Sequence, residues 1–176
     1  MAQLKKYDLL ELPWTDVAEY IKAGNDVVMI PVGSCEKHGN HVPLGVDSYT
    51  TMGSVERAAV KAKVLYAPLM PFGHSPHHMG EAGWGTGSIS LPAETYREVL
   101  YAIGRSLIFS GFNKLVFVSH HGTNMGPQGE VLRTLRADIH HFQQPSGILV
   151  NHIQGLPAKM SYNALSQLRT DAFDQT

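Results

Sequence analysis

The sequence predicts an α/β fold, a three-layer α/β/α sandwich around a mostly parallel central sheet. Three observations predict it. Short apolar runs of strand length alternate with segments whose apolar residues recur at helical spacing. The runs are apolar throughout, as strands covered by helices on both faces are. Three of them end in loops rich in carboxylate and imidazole, and α/β proteins place their chemistry at the carboxyl ends of their strands.

The elements follow in order. Thr15 or Asp16 is placed to cap a short helix over Val17–Ala23, which Gly24-Asn25 ends. Val27-Val28-Met29-Ile30-Pro31-Val32 reads as a buried strand. Ser48 offers an N-cap to a helix reaching Lys63, with Met52, Val55, Ala58, Ala59 and Ala62 at helical spacing. Val64-Leu65-Tyr66-Ala67 is a second strand, closed by Pro68. Residues 68–92 form a long loop rich in Gly, Pro and His. Loops of this length in compact domains are functional or disordered, and the aromatic and His content argues for function. A helix then starts near Pro92, has an apolar face of Tyr96, Val99, Leu100, Ile103, Leu107 and Ile108, and ends at Gly111. Lys114–Val118 is a third strand, followed by a helix from about Met125 to Ile139. Gly147–Val150 is a fourth strand, ending at Asn151-His152, and Ala158–Phe173 carries a weak helical pattern.

Composition narrows the functional classes. A formal net charge of −1 gives no electrostatic reason to expect nucleic acid or an anionic membrane as partner. Cys35, the one cysteine, excludes an intrachain disulfide framework and fits a reducing compartment. No signal-peptide pattern and no apolar run near the length of a membrane span is visible, so a cytoplasmic protein is expected. The ten His are unusual beside fourteen Lys plus Arg, because they are clustered.

Those clusters carry the chemistry. Glu36, His38 and Asp47 follow the first strand, His74, His77 and His78 the second, and His120 and His121 the third. A parallel sheet brings all three groups to one edge. Glu, Asp and His together suit a divalent Zn, Mn or Fe ion. Glu36 and His38, two residues apart in extended chain, point the same way. Only one of the adjacent pair His120 and His121 is expected to be a ligand. An ion held there would polarise a carbonyl and lower the pKa of a coordinated water to about 7.

Beyond this chemistry, the segment Glu36-Lys37-His38-Gly39-Asn40-His41-Val42-Pro43-Leu44-Gly45-Val46-Asp47 resembles the E-Q-H-G-x-H-L-P-L-x-T-D signature of the creatininase (creatinine amidohydrolase) family. Gly73–Met79 resembles the family's G-x-S-x-x-H segment, Gly85–Leu91 its P-G-T-x-S-L segment, and Ser119–Asn124 its N-G-H-G-G-N segment. The resemblance implies a creatininase-like fold over residues 1–176 and a metal-dependent amidohydrolase acting on small cyclic or linear amides. It also implies a homo-oligomer, often a hexamer. Glu36, Asp47 and His121 match the ligands of one metal, and His38 and Asp47 those of a second, with Asp47 bridging. One or two divalent ions per chain are expected, Zn foremost, with Mn or Fe as alternatives. His78 and His121 are the expected catalytic residues. His41 is expected to orient the loop from behind.

Three departures stand out. Lys37 replaces the usual Gln, and Thr123 stands where creatininase has a Glu ligand to the second metal. The family's C-terminal H-x-G-x-x-E-T segment does not occur between His152 and Thr176, so a C-terminally short member is expected. The alternative expectation is a non-catalytic or partner-dependent subunit whose site another chain completes. Trp84 is a candidate lid or subunit contact, His140 and His141 a solvated helix end, and His152 a candidate for the same rim. Cys35, pointing to the opposite side of the chain from Glu36, is expected as a small buried hydrophobe.

Overall fold

In the computed structural model, residues 6–80, 85–138 and, as backbone, 149–154 are described. The elements run α1 (Trp14–Lys22), β1 (Val27–Val32), α2 (Val46–Ala62), β2 (Leu65–Tyr66), α3 (Ala93–Phe109), β3 (Lys114–Ser119), α4 (Met125–Asp138) and β4 (Leu149–Gln154). Short 3-10 turns occupy Leu9–Glu11, Pro76–His78 and Gly122–Asn124.

The four strands are parallel, in the order β2-β1-β3-β4. Side chains alternate across the sheet, so β1 and β3 each feed two cores. Val28, Ile30, Val32, Leu115 and Phe117 pack with Tyr96, Leu100, Leu107 and Ile108 of α3 and Val131, Leu132 and Leu135 of α4. Val17 and Ile21 of α1 lie against that same core. Val27, Met29, Val116 and Val118 face the other way, against Val55, Ala58, Ala59 and Ala62 of α2. The result is the three-layer α/β/α sandwich that the sequence predicts.

Chain direction positions the site. From β1 the chain moves outward to β2 with α2 on one face. From β2 it crosses back to β3 with α3 on the opposite face, and it continues to β4 with α4. Reversing direction and face together keeps the crossovers of one hand. β1 and β3 are therefore neighbours that the chain leaves in opposite directions. The crevice between their carboxyl ends is the topological switch point where such sheets bind ligands. The two strands end in register, with Val32 opposite Ser119.

Several boundaries differ from the sequence expectation. α1 starts at Trp14 after Pro13, with no side-chain cap, so neither Thr15 nor Asp16 caps it. α2 starts at Val46, so Ser48 lies inside its first turn; its hydroxyl donates to the Ser34 carbonyl at 2.9 Å instead of capping. β4 runs on to Gln154, which puts His152 opposite Phe117 within the sheet and not at the rim. Residues 68–92 are pinned where they are described. Met70 N donates to Pro31 O at 3.0 Å, Gly33 N to Met70 O at 2.9 Å, Ile89 N to Cys35 O at 2.9 Å, and Leu91 N to Gly73 O at 2.9 Å. α3 ends as expected, with Gly111 at φ +106°, a conformation that favours glycine. Trp84, His140, His141 and the segment 158–173 lie outside the described residues.

The buried stripe of α2 changes character along its length. Asp47, Ser48 and Thr51 come first, then Ser54, Val55, Ala58, Ala59 and Ala62. The polar start lies over the strand ends and the small apolar end lies on the sheet. Their contact is close: a Cβ on Gly33 would fall 2.1 Å from Ser48 Oγ and 2.8 Å from its Cα. Gly33→Ala must push the start of α2 away from β1. We expect a loss of about 1–3 kcal/mol, the usual range for overpacking, read as a lower denaturation midpoint. An unchanged midpoint would show that the helix start is free to shift.

Candidate metal centre

The centre is built on the ends of β1 and β3 and the first turn of α2. Past Val32, the chain carries Glu36 and His38; α2 returns Asp47; past Ser119 comes His121. Glu36, Asp47 and His121 are all buried, with side-chain exposures of 8%, 10% and 5%. His121 Nδ1 lies 3.2 Å from Glu36 Oε1 and 3.2 Å from Asp47 Oδ2. His38 Nε2 lies 3.4 Å from Asp47 Oδ2 and 3.8 Å from Glu36 Oε1. Ligand atoms of Glu36, His38 and Asp47 all fall within 4.8 Å of one another.

The hydrogen bonds around these groups fix which atoms face inward. Thr123 Oγ1 donates to the His74 carbonyl at 2.6 Å, so a lone pair of that hydroxyl is left to accept from His121 Nε2. Ser75 Oγ, at 3.0 Å, and the His74 carbonyl, at 3.1 Å, flank the same nitrogen. The ring proton therefore sits on Nε2, and Nδ1 presents a lone pair to the two carboxylates. His38 follows the same rule: its Nδ1 donates to the Glu36 carbonyl at 3.2 Å, leaving Nε2 as an acceptor. Four electron-pair donors thus converge, and they require a cation, a proton or a metal ion.

Distance favours the metal. A charge-assisted hydrogen bond would draw its atoms to about 2.7–2.9 Å. Two ligands about 2.0–2.1 Å from one tetrahedral Zn²⁺ lie about 3.3–3.4 Å apart. The 3.2 Å from His121 to each carboxylate and the 3.4 Å from His38 to Asp47 lie nearer the second figure, and His38 stands 3.8 Å from Glu36. In addition, Glu36 Oε2 is buried and accepts no hydrogen bond. Such an orphan costs about 1–3 kcal/mol or more, and a cation removes that cost. The residues present fit a divalent ion.

Electrostatics agree. Burial opposes ionisation of Asp47, but once His121 also carries a proton on Nδ1, its hydrogen bond and that from Ser34, whose Oγ donates to Oδ2 at 2.6 Å, together with the charges of His121 and His38, hold the carboxyl below the ordinary value. Burial opposes protonation of His121, yet the Asp47 hydrogen bond and the Glu36 charge push its pKa up. The pocket attracts positive charge, and without a metal a proton takes that place. His120, by contrast, has its pKa lowered, chiefly by burial. The structure thus turns His121, not its neighbour, toward the carboxylates.

His78 Nε2 lies 3.5 Å from Glu36 Oε2, and His77 joins the same group. His74 faces elsewhere: its Nδ1 donates to Leu91 O at 3.0 Å. His41 is exposed and is not among the side chains that meet Glu36 and Asp47, because its loop runs along the surface. Cys35 is half-exposed, with its thiol 3.4 Å from the Gly87 carbonyl, and so is not a buried hydrophobe.

Sequence reading missed the supports. Ser34 and Ser75 hold Asp47 and His121. Asn124, fully buried, donates to Gly33 O and Ser119 Oγ and accepts from His74 N, tying three loops together. Thr51 Oγ1 accepts from His120 N at 3.1 Å and ties α2 to the end of β3. The available signal was small polar residues next to Gly33 and Gly73, where chain segments approach closely. A Cβ on Gly73 would meet Gly33 O and Asn124 Oδ1, each at 2.8 Å.

Comparison with known proteins extends this geometry. Residues 10–172 match the family model "Creatininase: Creatinine amidohydrolase". A mycofactocin precursor peptide peptidase of Mycobacterium ulcerans (strain Agy99) is 34% identical over 120 residues, covering 63% of this chain and 46% of that protein. Creatinine amidohydrolase of Pseudomonas putida is 30% identical over 115 residues, covering 65% and 44%. The chain thus spans under half the length of these relatives. A solved structure of creatininase with Mn superposes with a TM-score of 0.74 at 26% identity, covering 85% of this chain and 58% of that one. A creatininase variant of Zn-Zn type gives 0.70 at 26%, covering 86% and 58%. The family match takes in the strands and loops that build the centre, and the chain belongs to the creatininase family.

Proposed function

We propose that this chain carries the metal centre of an amidohydrolase that hydrolyses a C–N bond of a small cyclic or linear amide. The observation behind the reading is the convergence of Glu36 Oε1, Asp47 Oδ2 and His121 Nδ1, with His121 Nδ1 3.2 Å from each carboxylate oxygen. The names of two relatives, creatinine amidohydrolase and a precursor peptide peptidase, denote C–N hydrolysis in those proteins and support the same class here. Zn²⁺ is the favoured ion, with Mn²⁺ and Fe²⁺ as alternatives. A homo-oligomer belongs to the same reading, as does a cytoplasmic location, which the single Cys supports. Among the described residues no helix is long and apolar enough to cross a membrane.

When bound, the ion supplies Lewis acidity toward a carbonyl and makes water a nucleophile near neutral pH. The chain's own residues do the rest. Glu36, Asp47 and His121, with His38, would hold the ion. Ser34 keeps one Asp47 oxygen oriented, and Ser75, Thr123 and the His74 carbonyl hold the His121 ring. His38 is more exposed than the two carboxylates and His121, so substrate approaches from its side. His78, half-buried with its Nε2 3.5 Å from Glu36 Oε2, lines the same side of the site where substrate would bind.

Purified protein from metal-supplemented expression should contain Zn, Mn or Fe by elemental analysis; absence of all three would defeat the reading. Asp47→Asn should abolish tight binding and reduce hydrolysis across an amide panel to background. Ser34→Ala should weaken metal affinity about 10–100-fold, the range for residues that orient a ligand, measured by competition with a chromogenic chelator. Metal retained with hydrolysis restored only by a second polypeptide would favour the partner-dependent subunit instead.

A further inference from the structure

We propose that Glu36 Oε2, His77 and His78 form a second cation position, distinct from the one at Glu36 Oε1, Asp47 and His121, so that Glu36 bridges two ions through its two oxygens. The inference rests on the proposed centre only in the carboxylate that the two positions share.

Three observations carry it. One ligand atom each of Glu36, His77 and His78 lies within 4.8 Å of the others. Glu36 is more than nine-tenths buried, and its Oε2 accepts no hydrogen bond. His78 Nε2 is 3.5 Å away, too far for a charge-assisted hydrogen bond and close to the separation of about 3.3–3.4 Å between two ligands on one tetrahedral ion. The local chain explains the arrangement. Pro76 opens a 3-10 turn over Pro76–His78, which delivers two consecutive imidazoles with ring centroids 4.2 Å apart.

The other side of the first position offers less. Beyond His38 and Asp47, the side chain at 123 is a Thr whose hydroxyl is committed to the His74 carbonyl and to His121. It brings no negative charge toward His38. Glu36 Oε2 is therefore the acceptor still lacking a partner, and it faces His78.

The chemistry of one carboxylate oxygen and two imidazoles selects a borderline divalent cation such as Zn²⁺ or Co²⁺ over Mg²⁺ or Ca²⁺. The second ion shares one carboxylate, whereas the first has two. His77 is exposed and His78 half-buried. The second ion is thus the weaker-bound and more exchangeable of the two.

Titration of the metal-free full chain with Co²⁺, followed by calorimetry and visible absorption, tests this. Wild type should take up two ions, one tight and one weaker. His77→Gln with His78→Gln should lose only the weaker ion, and Asp47→Asn the tight one. One ion in wild type, retained in the double variant and lost in Asp47→Asn, would overturn the second position and leave the first standing. Two ions in the double variant, with one lost on His38→Gln, would overturn it as well. No ion in wild type would defeat both. Anomalous scattering from a wild-type crystal grown with Zn²⁺ gives the answer without any variant: a second peak between Glu36 and His78 is expected, and a second peak at His38 would overturn the assignment.

Discussion

Two carboxylate oxygens and two imidazole nitrogens converge on one small space, and the groups around them hold them there. Left alone they would separate or take up a proton. They stay because each is held from behind: Asp47 by Ser34, His121 by Ser75, Thr123 and the His74 carbonyl, His38 by the Glu36 carbonyl. The protein uses hydrogen bonds here to aim lone pairs, and the remaining need for positive charge suits the place to a cation.

That aiming depends on the sheet. β1 and β3 end in register and their following loops diverge, so the crevice exists before any side chain is placed. Gly33 and Gly73 let the loop after β1, the loop after β2 and the start of α2 approach within van der Waals distance. Asn124 then joins Gly33, Ser119 and His74 through three hydrogen bonds. Because these partners come from separate loops, the centre is rigid only once the whole edge has folded.

The sequence shows the parts whose signal is local. β1 is visible as Val27–Val32 because an unbroken apolar run of six needs burial on both faces, and Glu36, His38, Asp47 and His121 are visible because their side-chain types suit an ion. What it hides is set by partners far along the chain. Ser48 reads as a cap, but its hydroxyl is taken by a carbonyl fourteen residues earlier. β4 looks short because Asn151 and His152 are polar, yet pairing with Val116 and Phe117 carries the strand through them. Ser34, Ser75 and Asn124 are ordinary polar residues until the fold gives them neighbours. The loop 68–92 shows no periodicity because, where it is described, its order comes from single bonds to β1 and Cys35 and between its own distant parts, such as Gly73 and Leu91.

The changing stripe of α2 has one more consequence. Asp47 sits at one end of that helix, and Ala58, Ala59 and Ala62 rest on the sheet at the other. The fifteen steps of rise from Asp47 to Ala62 span about 22 Å at the usual helical geometry. The helix therefore works as a lever. A tilt of about 2° at the alanine end displaces the carboxylate by about 0.8 Å, several times the tolerance of about 0.2 Å in a metal–ligand distance. The small methyl groups at the far end of α2 therefore help, with the bonds of Ser34, Ser48 and Thr51 at the near end, to set where the Asp47 carboxylate stands.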